Sequence, residues 1–315
     1  MKKVLITDKV HDLLISGLKD LGYHVDYEPS ITRQEVSNII HDYHGIVINS
    51  KIKMDGDMID RGSALRWIAR LGSGLEIIDL SYASTKEIEV INSPEGNRNA
   101  VAEHTLGMIL CWCNNIIRAD REIRELQWNR EKNRGIELSG KTIGVIGYGQ
   151  MGSAFVSLIS SWNLNVLVYD KYKTLSFKNQ KNIKAVSLAD ILNEADFISL
   201  HLPYTSETHH FVDTDFIDRC KMNAVIINTS RGAIIHTAAL IDALDKAKLK
   251  GACLDVFENE KPDTYTLQER ELYLRLFEMD QVVLSPHIAG WTKESLFKIA
   301  DTIVNKVKCL NERDK

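Results

Sequence analysis

The chain lacks any apolar run long enough to span a bilayer, so a helical membrane protein is excluded. It also lacks an excess of positive charge: 39 Lys and Arg stand against 43 Asp and Glu, a net charge of −4. That balance argues against nucleic acid or an anionic membrane surface as the main partner. Cysteine is scarce, and the five present (Cys111, Cys113, Cys220, Cys253, Cys309) are odd in number and lack zinc-ligand spacing. They are expected as reduced thiols in a cytoplasmic protein, with no disulfide framework. No metal site is expected either. His41 and His44 could share a helical face, but no Cys or carboxylate cluster completes a site, so a surface pair is expected. Low-complexity tracts and internal repeats are absent, which excludes a solenoid. The opening MKKVLITD runs straight into a strand, so a signal peptide is not expected. What remains is an ordinary soluble composition, 44% hydrophobic and 26% charged, over 315 residues, a length that suits two domains.

The most informative stretch that is present is TIGVIGYGQMG, Thr142 to Gly152. A short buried strand leads into Gly147, Gly149 and Gly152, and an apolar helix follows. In this G-x-G-x-x-G spacing the first glycine permits a tight turn. The second lets backbone approach a pyrophosphate, and the third allows helix and strand to pack closely. The helix start, with its N–H groups and positive dipole end, would hold the phosphates. A second strand, NVLVYD, ends in Asp170 about eighteen residues on, where a carboxylate accepts hydrogen bonds from the adenosine ribose. Strand, glycines, helix and acidic residue together predict a dinucleotide site.

Strand and helix patterns alternate on both sides of this motif. KKVLIT, YHVDYE, GIVINS, RWIARL and EVINS read as strands before it, with helical HDLLISGLKDL, TRQEVSNIIHDY and IDLSYASTKE between. Asn99 to about Gln127 reads as one long helix bridging two domains. TIGVIG, NVLVYD, a weak strand near Lys184–Val186, FISLHL, AVIINTS, GACLDVF and QVVLSP form the second series. The fold class expected is therefore α/β, two doubly wound parallel-sheet domains, the second a Rossmann dinucleotide-binding domain. After Pro286 a closing helix places Leu296, Ile299, Ala300, Ile303, Val304 and Val307 on one face as core.

Ligands of open α/β sheets lie at the carboxyl ends of the strands. Arg231 follows AVIINTS, Glu258 and Glu260 follow GACLDVF, and His287 follows VVLSP. A histidine can accept the hydroxyl proton of a hydroxy acid near neutral pH, and a neighbouring carboxylate favours its charged form. Arginine's planar fork grips a carboxylate. An arginine, a carboxylate and a histidine at three strand ends of one sheet thus point to hydride-transfer chemistry.

With these residues in view the chain resembles the D-isomer-specific 2-hydroxyacid dehydrogenases, the family of phosphoglycerate, erythronate-phosphate and glycerate dehydrogenases. RLGSGLEIID, SPEGNRNAVAEHTLGMIL, ELSGKTIGVIGYGQMG, ISLHLPYTSETHHF, INTSRGAIIHTAAL, GACLDVFENE and SPHIAGWT carry the likeness along essentially the whole chain. The resemblance implies NAD as cofactor and a small 2-hydroxy or 2-keto acid as substrate. It implies a substrate-binding, flavodoxin-like domain of residues 1–98 and 289–315, and an NAD-binding Rossmann domain of residues 99–288. Arg231, Glu260 and His287 would be catalytic. Asn49, Ser50, Ser73 and Gly74 would bind substrate together with Arg231 and His287, the 73–74 backbone N–H groups taking its carboxylate. Thr105, Tyr148, Gln150, Met151, Thr229, Ser230 and Gly290 would join the three glycines, Asp170, Arg231 and His287 at the cofactor. Asp255 would hold the nicotinamide carboxamide, and His201, Leu202, Pro203 and Thr208 would lie toward the adenine. Relatives pair as homodimers through the segment that here runs from Cys111 through Arg134 into ELSG.

Four departures leave alternatives open. Lys261 separates Glu260 from Pro262, where relatives have glutamate followed at once by proline, so Glu258 competes with Glu260 as the partner of His287. Asn49 stands where many relatives carry arginine. His236 replaces an acidic residue, and Trp291 adds a bulky ring that either narrows the substrate range or packs the hinge; packing is expected. Lys51, Lys53 and Arg98 are either solvated or anchors for a phosphorylated acid. The alternative of another class is a non-catalytic NAD(H)-sensing corepressor on the same scaffold. Formate dehydrogenase is a weaker enzymatic rival, because that branch has glutamine in place of Glu260.

Overall fold

Short runs rich in Val and Ile form parallel strands here because helices cover both faces of each sheet, and the central strands Gly45–Ile48, Phe197–Leu200 and Ala224–Asn228 are buried throughout. The computed structural model describes residues 2–178 and 180–313. It divides into two units, Met1–Arg98 with Trp291–Lys315, and Asn99–Gly290.

The first unit runs β1 (Lys3–Ile6), α1 (Asp12–Asp20), β2 (His24–Tyr27), α2 (Arg33–Ile39), β3 (Gly45–Ile48), α3 (Gly56–Arg61), β4 (Trp67–Arg70), α4 (Leu80–Thr85) and β5 (Glu89–Ile91). Its sheet has the order β2-β1-β3-β4-β5, all parallel, the flavodoxin-like arrangement. Period-two alternation sends Val4 and Ile6 to one face and Leu5 to the other.

The second unit takes up α5 (Pro94–Cys113) from its residue 99 onward, then α6 (Ile116–Arg124), β6 (Thr142–Ile146), α7 (Gln150–Ile159), β7 (Asn165–Tyr169), β8 (Ile183–Ala185), α8 (Leu188–Glu194) and β9 (Phe197–Leu200). It continues with α9 (Thr214–Arg219), β10 (Ala224–Asn228), α10 (Thr237–Asp245), β11 (Leu249–Leu254), α11 (Leu267–Phe277) and β12 (Val282–Leu284). The order β12-β11-β10-β9-β6-β7-β8 is all parallel and reverses direction between β6 and β9, where the glycine loop leaves the sheet. α12 (Lys293–Arg313) returns to the first unit and buries Ile299, Ala300, Ile303 and Val307 against α1 and the sheet.

Several expectations are corrected. The long helix expected over 99–127 starts earlier and is broken. Pro94 occupies its first turn, where a missing N–H costs nothing. Asn115 then takes a left-handed φ of 51°, a conformation asparagine tolerates, and the chain restarts as α6. Helices α3, α9 and α11 begin on side-chain caps from Asp55, Asp213 and Thr266. The chain crosses back into the first unit after Gly290. His41 and His44 do not share a helical face: His41 is exposed beside Asp42, and His44 precedes β3 with Nδ1 buried and without a partner. All five cysteines are unpaired, and burial pushes the Cys113 thiol up to about 11 and Cys220 up to about 12. Among the described residues no helix is long and apolar enough to cross a membrane.

Candidate active site

The glycine loop bears out the physical demands of its spacing. Gly147 has φ +94°, and a Cβ there would lie 2.4 Å from the His201 carbonyl oxygen. A Cβ on Gly152 would lie 2.0 Å from the Gly147 oxygen. At Gly149 a Cβ would meet open space, so this glycine is not required by the fold and leaves room for a ligand. Helices α2, α3, α4, α8, α9 and α11 each begin on a side-chain cap, whereas α7 begins at Gly149 with none. The positive end of the α7 dipole, with its opening N–H groups, would suit an anion. Asp170 closes the other side: its carboxylate accepts from the backbone N–H of Tyr148 at 2.8 Å, of Tyr172 at 2.9 Å and of Lys173 at 3.1 Å. Lys173 Nζ donates to the Tyr148 carbonyl at 2.8 Å, while Lys171 and Tyr172 both engage Glu207. The start of α7 would hold the pyrophosphate of a dinucleotide, and Asp170 would take its ribose.

Around the loop, the residues carried over by resemblance hold one another. His201 turns its ring into the interior, packs on Phe155 and shares a 2.9 Å bond between Nε2 and Ser199 Oγ. Its Nδ1 has no partner, and burial pushes its pKa down to about 4. Its backbone, rather than its ring, meets Gly147. Thr208 Oγ1 donates to the Pro203 carbonyl at 2.7 Å and thereby closes the turn after Leu202. Thr105 is fully buried; its hydroxyl donates to the Val101 carbonyl and meets Thr229 Oγ1 at 2.9 Å.

Arg231 stands past the end of β10, with Nη1 donating to the Ser230 carbonyl at 2.7 Å. Asn228 organises this turn: its Oδ1 accepts from Ser230 N–H and Oγ, and its Nδ2 donates to the Arg231 carbonyl. Gly232 follows because a Cβ there would fall 1.9 Å from the Phe257 carbonyl carbon. The two glutamates separate cleanly. Glu260 Oε2 lies 2.7 Å from His287 Nδ1. Glu258 accepts from the Thr237 N–H at the start of α10 and pairs with His210. The insertion of Lys261 therefore leaves Glu260, not Glu258, beside the histidine.

His287 sits at φ +56°, a left-handed conformation costly for its side chain. Asp255 holds it there. The Asp255 carbonyl accepts the His287 N–H at 2.7 Å, and its carboxylate accepts the N–H groups of Ile288 and Ala289 at 2.9 and 2.8 Å. Burial would raise the Asp255 pKa, but hydrogen bonds from His104, Ser285, Ile288 and Ala289 outweigh it and hold the carboxyl below its usual value. Gly290 ends this loop, and Trp291 beyond it is 69% exposed, so the expected packing role is corrected.

In the first unit, Asn49 and Ser50 follow β3, and the Asn49 N–H donates to Asp8 Oδ2 at 2.9 Å. Ser73 and Gly74 follow β4; Ser73 Oγ bonds Asn97 and its carbonyl accepts from Asn92 Nδ2. Lys51 Nζ is committed to the Pro29 carbonyl at 2.7 Å, and Arg98 lies near Glu95 on α5. Asn228 and Ser285 escaped the sequence reading. Their signal was present, since each is a polar residue closing or following an otherwise apolar strand.

Residues 106–289 match the model of the D-isomer specific 2-hydroxyacid dehydrogenase, NAD binding domain. D-3-phosphoglycerate dehydrogenase of Methanocaldococcus jannaschii is 36% identical over 308 residues, covering 96% of this chain and 56% of that protein. The same enzyme of Archaeoglobus fulgidus is 33% identical over 316 residues, covering 99% and 58%. The chain thus spans little more than half the length of these curated relatives. Hydroxypyruvate reductase of Thermotoga maritima is 33% identical over 277 residues, 88% of each chain. Among solved structures, D-lactate dehydrogenase from Aquifex aeolicus complexed with NAD and lactic acid superposes with a TM-score of 0.85. It is 29% identical and covers 99% of this chain and 96% of that one. By sequence and by fold, the chain belongs to the D-isomer specific 2-hydroxyacid dehydrogenase family.

Proposed function

We propose that this protein is a cytoplasmic NAD-dependent D-2-hydroxyacid dehydrogenase, working also in reverse as a 2-keto-acid reductase. The substrate class is a small or phosphorylated C3–C4 acid, with 3-phosphoglycerate and hydroxypyruvate included on the strength of the relatives' activities. The observation that carries this reading is the 2.7 Å contact between His287 Nδ1 and Glu260. The glycine loop would hold the cofactor's pyrophosphate, and the cofactor, when bound, would supply or accept the hydride. A carboxylate can only accept, so Glu260 fixes the proton of His287 on Nδ1 and leaves Nε2 to take the substrate's hydroxyl proton. Once Nε2 is protonated, the same carboxylate stabilises the imidazolium. Arg231 offers its guanidinium to the substrate's carboxylate and reacting oxygen.

NADH oxidation against a panel of 2-keto acids tests the proposal, with glyoxylate, hydroxypyruvate and its phosphate in the panel. Turnover of at least one is expected; tight NADH binding without turnover of any would favour the corepressor reading. The same assay reads cofactor choice. Asp170 repels a 2′-phosphate, and Lys171 and Lys173 are tied to Glu207 and the Tyr148 carbonyl rather than free to offset it. Catalytic efficiency should therefore be at least about tenfold higher with NADH than with NADPH.

We also assign a homodimer built through the segment after α5. Helix α6 buries none of its residues, although Ile116, Ile117 and Ile123 are apolar. Leu126 is 95% and Trp128 79% exposed nearby. An apolar surface of this kind marks an interface. Light scattering should give twice the chain mass, and Trp128→Glu should shift it toward one; a monomer in the unaltered protein would refute the assignment.

A further inference from the structure

We propose that His104, Ser285 and Asp255 form a directed hydrogen-bond relay that positions His287, with His104 as its outer donor. The relay rests on the dehydrogenase reading only for its kinetic consequence. It joins three elements of the second unit: His104 on α5, Asp255 just past β11 and Ser285 just past β12.

The direction follows from counting protons. An ionised Asp255 is an acceptor only, and Ser285 Oγ lies 2.5 Å from its Oδ1. Serine has one hydroxyl proton. The competing acceptor, the Met108 thioether, is weak and lies 3.7 Å away, so the proton goes to Asp255. Ser285 Oγ is then left as an acceptor toward His104 Nε2 at 2.9 Å, which obliges His104 to carry a proton on Nε2. The same nitrogen lies 3.5 Å from Asp255 Oδ1. Asp255 in turn receives the N–H groups of three successive residues, 287 to 289. These bonds keep His287 in its left-handed conformation and so keep Nδ1 on Glu260. Neither His104 nor Ser285 touches the reacting atoms in this scheme; both are positioning residues.

Two measurements test it. Long-range proton–nitrogen correlation on the unaltered chain without cofactor should show His104 as the Nε2–H tautomer. In Ser285→Ala the exchange of the Ile288 and Ala289 amides should accelerate. In turnover, His104→Leu and Ser285→Ala should each lower kcat about tenfold, the scale of one lost buried hydrogen bond. His104→Gln, whose amide can donate in place of Nε2–H, should recover most of the loss. The Nδ1–H tautomer, unchanged amide exchange, or His104→Gln no better than His104→Leu would each overturn the relay. If the unaltered chain turns over no keto acid, the dehydrogenase reading fails, while tautomer and amide exchange still decide the relay.

Discussion

Replacing His287 by alanine should lower kcat about 10³-fold and leave NADH affinity within about twofold, the scale of removing a positioned general acid–base. The split follows from geometry. In the proposed assignment the glycine loop, the start of α7 and Asp170 would hold the cofactor, whereas His287 comes from the loop after β12 and is tied to Glu260 and Asp255. Glu260→Gln should be milder, because glutamine can still accept from Nδ1–H but no longer stabilises the imidazolium; activity should persist with a shifted pH profile. Glu258→Gln should act differently, through stability, since Glu258 caps α10 and pairs with His210. Steady-state kinetics and NADH fluorescence titration on the three variants check this. A His287→Ala enzyme that keeps wild-type turnover would remove the histidine from the chemistry, and a larger kinetic effect at Glu258 would reassign the carboxylate.

The second large effect concerns stability against acid. Burial pushes the His201 pKa down from 6.5 to about 4. A group with a depressed folded-state value binds its proton more readily when unfolded. Below pH 6.5 the unfolded chain therefore takes up a proton that the folded chain refuses, and stability falls with pH. The loss begins near 6.5, is complete near 4, and does not grow below that. Its full size is about 3 kcal/mol. Above pH 6.5 the group contributes no pH dependence. Urea unfolding from pH 7.5 to 4.5 should show this decline in the wild type. His201→Gln, which cannot titrate but places an amide near the Nε2 position that bonds Ser199, should be flatter across the same window. Equal slopes for the two proteins would show that other groups govern acid unfolding.

The layer order and the glycine loop were legible in the sequence because they rest on local regularities. Alternating apolar strands and amphipathic helices require a parallel sheet, and three glycines at fixed offsets between strand and helix leave few other uses for the backbone. That Arg231, two glutamates and His287 follow strand ends was legible for a related reason: in such a sheet the residues after each strand gather at one edge whatever the details of the loops. Other features were not, because their cause is non-local. Nothing near Asn115 shows that the helix from Pro94 stops at Cys113, where the Cys113 carbonyl is taken by Ile136. The choice between Glu260 and Glu258 was left open by the inserted Lys261, and it is decided by the distance to a histidine 27 residues further along the chain. Trp291 was expected to pack and is exposed. The inward ring of His201 and the service of Asp255 to three N–H groups across two strand ends are likewise matters of which chain segments meet. The sequence by itself determined the family, the sheets and the chemical groups available. Only the tertiary structure decided which carboxylate meets which histidine, because a hydrogen bond over 2.7 Å is settled by loop geometry that no local propensity encodes.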